Sequence, residues 1–395
     1  MSGAALARRS SGTVPAPAGP LKITGVETFS IRVPPPRRGG AGWVLVKLLT
    51  NQDGLAGYGE VYMLGISFSP PAVETLIKDL VGAQVVGHNP YHIEALFQKL
   101  YSHNYSHYPE FTKLGVISAL EMACWDLVGK DVGRPVYDLL GGPVRQKIRT
   151  YTYTYNEKAA HWLAQGFTAV KLDPLGQDPR AIKDFEQIIP IQPSLEAFER
   201  VEAAIREIRE AVGNKLDILI GTHGQMTASG AIRLAKRLEP YHPLWFEEPV
   251  PPENISEMAL VARATSIPIC TGERLTTKYD FARLIEHHAA SIFNLDVGHV
   301  GGILEAKKIA GMAEASYLHI SPHCWGGPLI AAASIQIATC CPNFLILESI
   351  ARFEGLHAEL LKEPIEWRDG FVIPSRRPGL GYELDEAAAR RYAWT

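Results

Sequence analysis

Through the second half of the chain, short apolar runs end repeatedly on an acid or a histidine. Phe167-Thr168-Ala169-Val170 leads into Lys171-Leu172-Asp173, Ile218-Leu219-Ile220 into Gly221-Thr222-His223, and Leu244-Trp245-Phe246 into Glu247-Glu248-Pro249. Ile267-Pro268-Ile269-Cys270 then precedes Gly272-Glu273-Arg274, Ser291-Ile292-Phe293-Asn294 precedes Leu295-Asp296-Val297, and Tyr317-Leu318-His319-Ile320 precedes Ser321-Pro322-His323. Phe344-Leu345-Ile346-Leu347 runs into Glu348. Each run has the length of a strand. Helical segments such as Leu195 to Val212, Ala228 to Leu238 and Ile303 to Ala315 fall between them, an alternation that predicts a parallel sheet. A polar group at the C-terminal end of strand after strand is where a parallel (β/α)₈ barrel builds an active site.

The first half reads differently. From Leu21 to about Tyr62 the pattern is strand-like: Ile23 to Ile31 partly alternates, and Trp43 to Leu48 runs on to the turn signal Asn51-Gln52-Asp53-Gly54, which predicts an antiparallel meander. From about Pro71 to Leu140 the period becomes helical, as in Ile117, Leu120, Glu121, Cys124, Trp125, Leu127 and Val128, and it stops near Gly141-Gly142-Pro143. The expected organisation is a flexible tail over 1–20, an α+β domain over 21–146, a barrel over 147–360, and a C-terminal segment over 361–395 that packs back on the first domain.

Composition narrows the function classes. A chain of 395 residues that is 46% hydrophobic can bury a large core. Its net charge of -3 and pI near 6.5 provide no basic field for nucleic acid. No apolar stretch reaches the roughly 18 residues of a membrane span, so neither nucleic acid nor membrane is an expected partner. The cysteines Cys124, Cys270, Cys324, Cys340 and Cys341 are odd in number, lack C-x-x-C spacing and lie mostly in apolar runs. They read as reduced core residues of a cytoplasmic protein.

The polar ends of the runs carry the candidate chemistry. Residues two apart in a strand share a face, so Lys171 and Asp173 point one way, as do Gly221 and His223, and only one of Glu247 and Glu248 can face the barrel mouth. Glu247 and Glu273 from neighbouring strands would repel each other unless something positive sat between them, and a hard oxygen-seeking cation such as Mg²⁺ is the economical answer. A single acid in such a place is more often a salt bridge or a helix cap; two at matched positions reverse that expectation. Asp296 and His323 end adjacent strands, where a carboxylate can fix the tautomer of an imidazole and raise its basicity, the arrangement of a general base. His323 opens into the loop Cys324-Trp325-Gly326-Gly327-Pro328, where functional residues concentrate, and Trp325 is a candidate substrate contact. His103, His107, His161, His242, His287, His288 and His299 default to surface or loop roles.

Taken in order, Lys-x-Asp, Gly-Thr-His-Gly-Gln, Trp-Phe-Glu-Glu-Pro, Thr-Gly-Glu-Arg, Asp-x-Gly-His-x-Gly-Gly, Pro-His and Glu resemble the enolase superfamily. Gly57-Tyr58-Gly59-Glu60 and Ala119-Leu120-Glu121-Met122-Ala123-Cys124-Trp125-Asp126-Leu127 precede them and fit the same pattern. Within the superfamily the chain is similar to the mandelate racemase and muconate lactonizing enzyme group, especially its galactonate- and mannonate-type acid-sugar dehydratases. The resemblance runs from about residue 22 to the C-terminus. It implies an α/β fold, a modified (β/α)₇β TIM-type barrel under an N-terminal α+β capping domain, with bound Mg²⁺ (or Mn²⁺) and a homo-oligomeric assembly. It further implies a sugar acid as substrate, loss of the proton beside its carboxylate to give an enediolate, and elimination of the β-hydroxyl to a 2-keto-3-deoxy acid. A cycloisomerase opening an anhydro-sugar acid or lactone uses the same enediolate. A catalytically silent relative with weakened metal binding is the alternative of another class.

By the family's pattern His323 and Asp296 attack one face of the substrate, the residues Lys171 and Asp173 work the opposite face, and Glu348 in its acid form hydrogen-bonds the enediolate. Asp173 in place of the lysine of many relatives argues against a racemase with two cationic bases, and leaves Lys171 to orient or neutralise the substrate. The third strand departs furthest, because Gly221 stands where relatives place an aspartate ligand. Either His223 ligates the metal, or water fills the position, or metal binding has weakened; His223 is expected to face the site as ligand or as the acid that protonates a departing hydroxyl. An imidazole ligand would tilt preference towards Mn²⁺. Asp217 is a remote substitute, four residues earlier. Pro34 to Gly42, with Arg37 and Arg38, is a candidate cover loop offering guanidinium groups to an anionic substrate. Met63 to Ile66 is a second cover, and the Tyr101 to Tyr108 stretch and the insert from Pro174 to Ser194 are further pocket candidates.

Overall fold

The partly alternating N-terminal segments pair as antiparallel strands β1 (Ile23–Arg32), β2 (Gly42–Thr50) and β3 (Ala56–Val61), in the order β1-β2-β3. The computed structural model describes residues 20–66, 68–103, 107–154, 158–175 and 190–395. The expected tail up to residue 19, the centre of the Tyr101 to Tyr108 stretch and most of the insert after Pro174 lie outside those residues. Helix Phe111–Asp131 lies across β3, and the contact depends on two glycines. A Cβ at Gly57 would come within 2.1 Å of the Ala123 carbonyl oxygen, and one at Gly59 within 2.0 Å of that of Ala119. Glycine is the residue that lets sheet and helix backbones approach so closely.

Among the described residues the second half forms eight parallel strands: β4 (Ile148–Tyr153), β5 (Ala169–Leu172), β6 (Asp217–Gly221), β7 (Trp245–Glu247), β8 (Ile269–Thr271), β9 (Ile292–Phe293), β10 (His319–Ile320) and β11 (Leu347–Glu348). Consecutive strands pair from β4 to β10, the Ile320 and Phe344 backbones bridge, and β11 pairs with β4. The sheet is therefore a closed barrel. A helix follows each of the first seven strands, whereas among the described residues β11 is followed only by the four-residue helix Leu356–Glu359 before the chain leaves the barrel, which gives the (β/α)₇β architecture. Its first strand is missing from the ladder of polar strand ends, because β4 terminates in Tyr151-Thr152-Tyr153 and not in an acid. After β11, the hairpin β12 (Trp367–Arg368) and β13 (Phe371–Val372) adds antiparallel to β4, and the last residues return to the first sheet, where Trp394 N–H donates to Ser30 O at 2.8 Å.

Side chains alternate along the barrel strands and so form layers. Tyr151, Ala169, Leu219, Trp245, Cys270, Ile292 and Ile346 make one buried apolar cluster inside the barrel. Two residues further along each strand, on the same face, stand Tyr153, Lys171, Gly221, Glu247, Gly272, Asn294 and Glu348. The change from apolar to polar between these layers marks where packing ends and chemistry begins. All five cysteines are buried and free. No helix among the described residues is long and apolar enough to cross a membrane.

Buried acids fasten the N-terminal domain to the barrel. Glu60 at the end of β3 accepts from the backbone N–H groups of Gly327, Leu329 (3.0 Å) and Ile330 (3.1 Å), at the start of helix Pro328–Cys340. Glu121 accepts from Ile303 N–H and Leu304 N–H, at 2.7 and 2.8 Å, at the start of helix Ile303–Ala315. Each satisfies first-turn donors that have no intrahelical partner. Replacing Glu60 with alanine strands three buried donors, so a loss of about 2–4 kcal/mol is expected. Differential scanning calorimetry checks it: the melting transition should fall by several degrees in Glu60→Ala and by less in Glu60→Gln.

Candidate active site

The layer at the barrel mouth converges on one cluster. Lys171, wholly buried, places its ammonium in a close ion pair with Glu247, 3.7 Å from Glu273 Oε2 and 4.0 Å from Glu348 Oε1. The other oxygen of Glu247 accepts from Trp245 Nε1 at 2.9 Å. Glu248 turns the other way: Arg274 Nε donates to it at 2.6 Å and Thr271 Oγ1 at 3.3 Å, so of the two acids only Glu247 joins the cluster. Burial, and then the neighbouring Glu273, push the Glu247 carboxyl up to about 8 against the pull of Lys171. Glu273 moves downward, because Lys171, His323 and His223 outweigh its burial. Lys171 itself stays charged, the cost of burying it being overcome by Glu247, Tyr153, Tyr151 and Glu273.

A first histidine and carboxylate pair stands over β9 and β10. His323 Nδ1 lies 2.6 Å from Asp296 Oδ2, and Asp296 Oδ1 accepts from Gly298 N–H at 2.6 Å. Nε2 of the same ring lies 3.4 Å from Glu348 Oε2 and 3.6 Å from Glu273 Oε2. Burial alone would make His323 less basic, but Glu348, Glu273 and the bonded Asp296 outweigh it and push the imidazole up to about 10. Glu348 is fixed by the Cys324 N–H, 2.7 Å from Oε2.

A second pair stands over β5 and β6. His223 Nδ1 lies 2.9 Å from Asp173 Oδ2, which Gln225 Nε2 also reaches at 3.4 Å. His223 has φ +48°, a left-handed turn residue, a strained conformation of the kind that clusters at functional sites. Its pKa is raised, burial being overcome by the bond to Asp173 and the charges of Glu273 and Asp173. In an eight-stranded barrel the second and third strands lie across from the sixth and seventh, so the two pairs face each other over the cluster.

Not every expected site residue is in this group. His223 is half-buried and held by Asp173 through Nδ1, which leaves Nε2 open to a metal ion or to a proton, since metal-bound imidazoles commonly give their other nitrogen to a carboxylate. Asp217 is at the far end of β6, bound to Arg149 at 2.6 Å, and is no substitute for the missing aspartate. Arg37 is exposed and lines a surface cleft with Arg32, Tyr392 and Trp394, a lining that includes none of the cluster's acids. Arg38 is half-buried in the same loop. That loop lies against the turn after β10, since a Cβ on Gly39 would meet Gly326 O at 2.6 Å. Trp325 does reach the mouth, packing edge-on to Tyr153 at 5.2 Å, and the Tyr153 ring lies 5.0 Å from the Lys171 ammonium.

Three contributors have weak sequence signals. Tyr62, from the N-terminal domain, sets its ring edge-on to His323 at 5.8 Å. His299 lies in a turn, as a loop role would have it, but it is buried, and its Nε2 donates to the Glu273 carbonyl at 2.6 Å, which holds that strand end. Trp245 hides inside an apolar run, although its spacing of two from Glu247 puts both on one face.

The donor set suits a hard cation in kind. Glu273 Oε2 and Glu348 Oε1 are buried without a hydrogen-bond partner, and both point towards the Lys171 ammonium. Among the described residues, however, no three acidic, histidine or cysteine groups are set out to surround one. Glu247 and Glu273 are the residues that would hold it.

Two family models match the chain: the mandelate racemase / muconate lactonizing enzyme N-terminal domain over residues 31–141 and the enolase C-terminal domain-like model over residues 154–388. The D-galactonate dehydratase of Ralstonia nicotianae is 35% identical over 376 residues, covering 93% of each chain. A crystal structure provisionally described as a mandelate racemase/muconate lactonizing enzyme, from Labrenzia alexandrii DFL-11, superposes with a TM-score of 0.90 at 51% identity, covering 95% of this chain and 96% of that one. The mandelate racemase/muconate lactonizing enzyme-like protein from Roseovarius sp. TM1035 gives 0.88 at 41% identity over the same shares.

Proposed function

The chain belongs to the mandelate racemase/muconate lactonizing enzyme group of the enolase superfamily, and from that premise we propose that it dehydrates a sugar acid to a 2-keto-3-deoxy acid. The observation that carries this reading is the pair of histidine and carboxylate dyads on opposite sides of one acid and lysine cluster. Elimination of water across two carbons needs a base at one and an acid at the other, and two dyads supply both. A relative that is 35% identical over nearly the whole chain is a D-galactonate dehydratase, which makes galactonate the first acid to try.

In this mechanism the neutral form of His323, reached when a cation in the cluster offsets the surrounding carboxylates, takes at Nε2 the proton beside the substrate carboxylate, while Asp296 holds the ring by Nδ1 and stabilises the imidazolium that forms. The enediolate that results carries charge on the former carboxylate. Lys171 offers that charge a fixed ammonium, with Glu348 beside it at 4.0 Å; such fixed polar groups are worth more in a buried site than in water. His223, held protonated by Asp173, gives its proton to the β-hydroxyl as the C–O bond breaks, so water leaves and the enol becomes the 2-keto acid. A divalent ion, Mg²⁺ or Mn²⁺, held by Glu247 and Glu273 would polarise the substrate carboxylate and offset the negative charge around His323. The protein is also proposed to work as a homo-oligomer, which light scattering on a sizing column would test.

The purified protein, supplied with Mg²⁺ or Mn²⁺ and a panel of hexonates, aldarates and anhydro-sugar acids, should release a 2-keto-3-deoxy acid from at least one hexonate or aldarate. Turnover confined to the anhydro acids would replace dehydration with ring opening. No 2-keto acid from any of them would sink the proposal.

A further inference from the structure

Gly221 and Lys171 are one feature. Gly221 pairs in register with Glu247 across β6 and β7 and belongs to the inward-facing layer that also holds Lys171. A Cβ built on Gly221 would lie 2.6 Å from Lys171 Cε, closer than atoms pack without one of them moving. The lysine stem passes through the space that any side chain at 221 would fill. Because it does, the ammonium arrives between Glu247, Glu273 and Glu348. Glu247 then has both oxygens engaged, one by Lys171 and the other by Trp245.

We propose that Lys171 is the resident cation of this cluster and that it competes with a divalent ion for Glu247, Gly221 being the residue that lets it lie there. The inference rests on the reading of Glu247 and Glu273 as the cation site. The positive charge that two converging carboxylates demand is supplied from within the chain, and an incoming ion must displace the ammonium from Glu247 before that carboxylate can ligate it. Two events that exclude each other at one carboxylate are negatively coupled, and removing the competitor strengthens the other. Coupling of this kind is typically about 5- to 150-fold. The absent third ligand is therefore only half of the departure at this rung. The other half is a lysine that has taken its room.

Mn²⁺ alone is the probe, since it shares the preference for oxygen donors and its free-ion paramagnetic signal reports binding without turnover. Titrations would compare the full-length protein with Lys171→Met, which keeps the stem and removes the charge, and Gly221→Ala, which adds no ligand and pushes the lysine aside. Both variants should bind Mn²⁺ about tenfold or more tightly than the parent, with melting curves showing that they fold. Unchanged or weaker binding in the folded variants would overturn the competition. If Lys171→Met does not fold, Gly221→Ala decides alone. Keto-acid formation by a parent whose variants bind no more tightly would reject this inference and spare the dehydratase reading; tighter binding without turnover on any acid would do the reverse.

Discussion

Exchanging His323 for asparagine is expected to cost about a thousandfold in turnover, within the range that a positioned general base supplies. Asparagine can still hydrogen-bond Asp296, so the buried carboxylate keeps a partner and the fold should survive; near-ultraviolet circular dichroism would verify that. What disappears is the ring nitrogen 3.4 Å from Glu348 and 3.6 Å from Glu273, which faces the space the substrate would enter. If His323 removes the proton beside the carboxylate, keto-acid formation and exchange of that proton with deuterated solvent should fall together. Asp296→Asn should cost less, because the ring remains and only its tautomer and charge stabilisation are disturbed. A His323→Asn protein that exchanged the proton at the parental rate would show that another group is the base.

The barrel and most of its mouth are legible because strand periodicity is strict: once an apolar run is recognised, the polar residue at its end must point to one face or the other. Lys171, Glu247, Asp296, His323 and Glu348 follow from that rule. What the rule cannot give is the partner of each group across the barrel. The sequence leaves Glu247 and Glu273 in need of a positive charge, and a metal ion is the simplest answer; the folded chain shows Lys171 already beside them. The void at Gly221 is equally hard to read, since a missing side chain says nothing about which neighbour takes the space. Tyr62 and His299 escape because they come from outside the strand ends, one from the N-terminal domain and one from a loop. The first strand escapes because its mouth-facing residue is a tyrosine, Tyr153, which looks like core.

His223 is where the two chemical steps can be pulled apart. If it is the acid that releases the hydroxyl, His223→Asn should slow keto-acid formation by about two to three orders of magnitude while solvent deuterium still enters beside the carboxylate. The first half-reaction needs only His323 and the groups around the enediolate, and His323 can return a deuteron to the carbon when the hydroxyl does not leave. The Asp173 contact adds a pH signature. The competent form of His223 carries the proton, so activity is present below its pKa and is lost as pH rises through it. Asp173 raises that pKa. In Asp173→Asn the loss should begin at lower pH, with the acidic side of the profile unchanged. Equal losses of exchange and elimination in His223→Asn would mean that the histidine acts before the C–O bond breaks, as part of the proton-abstraction step, and the assignment of a base to one side of the barrel and an acid to the other would have to be abandoned.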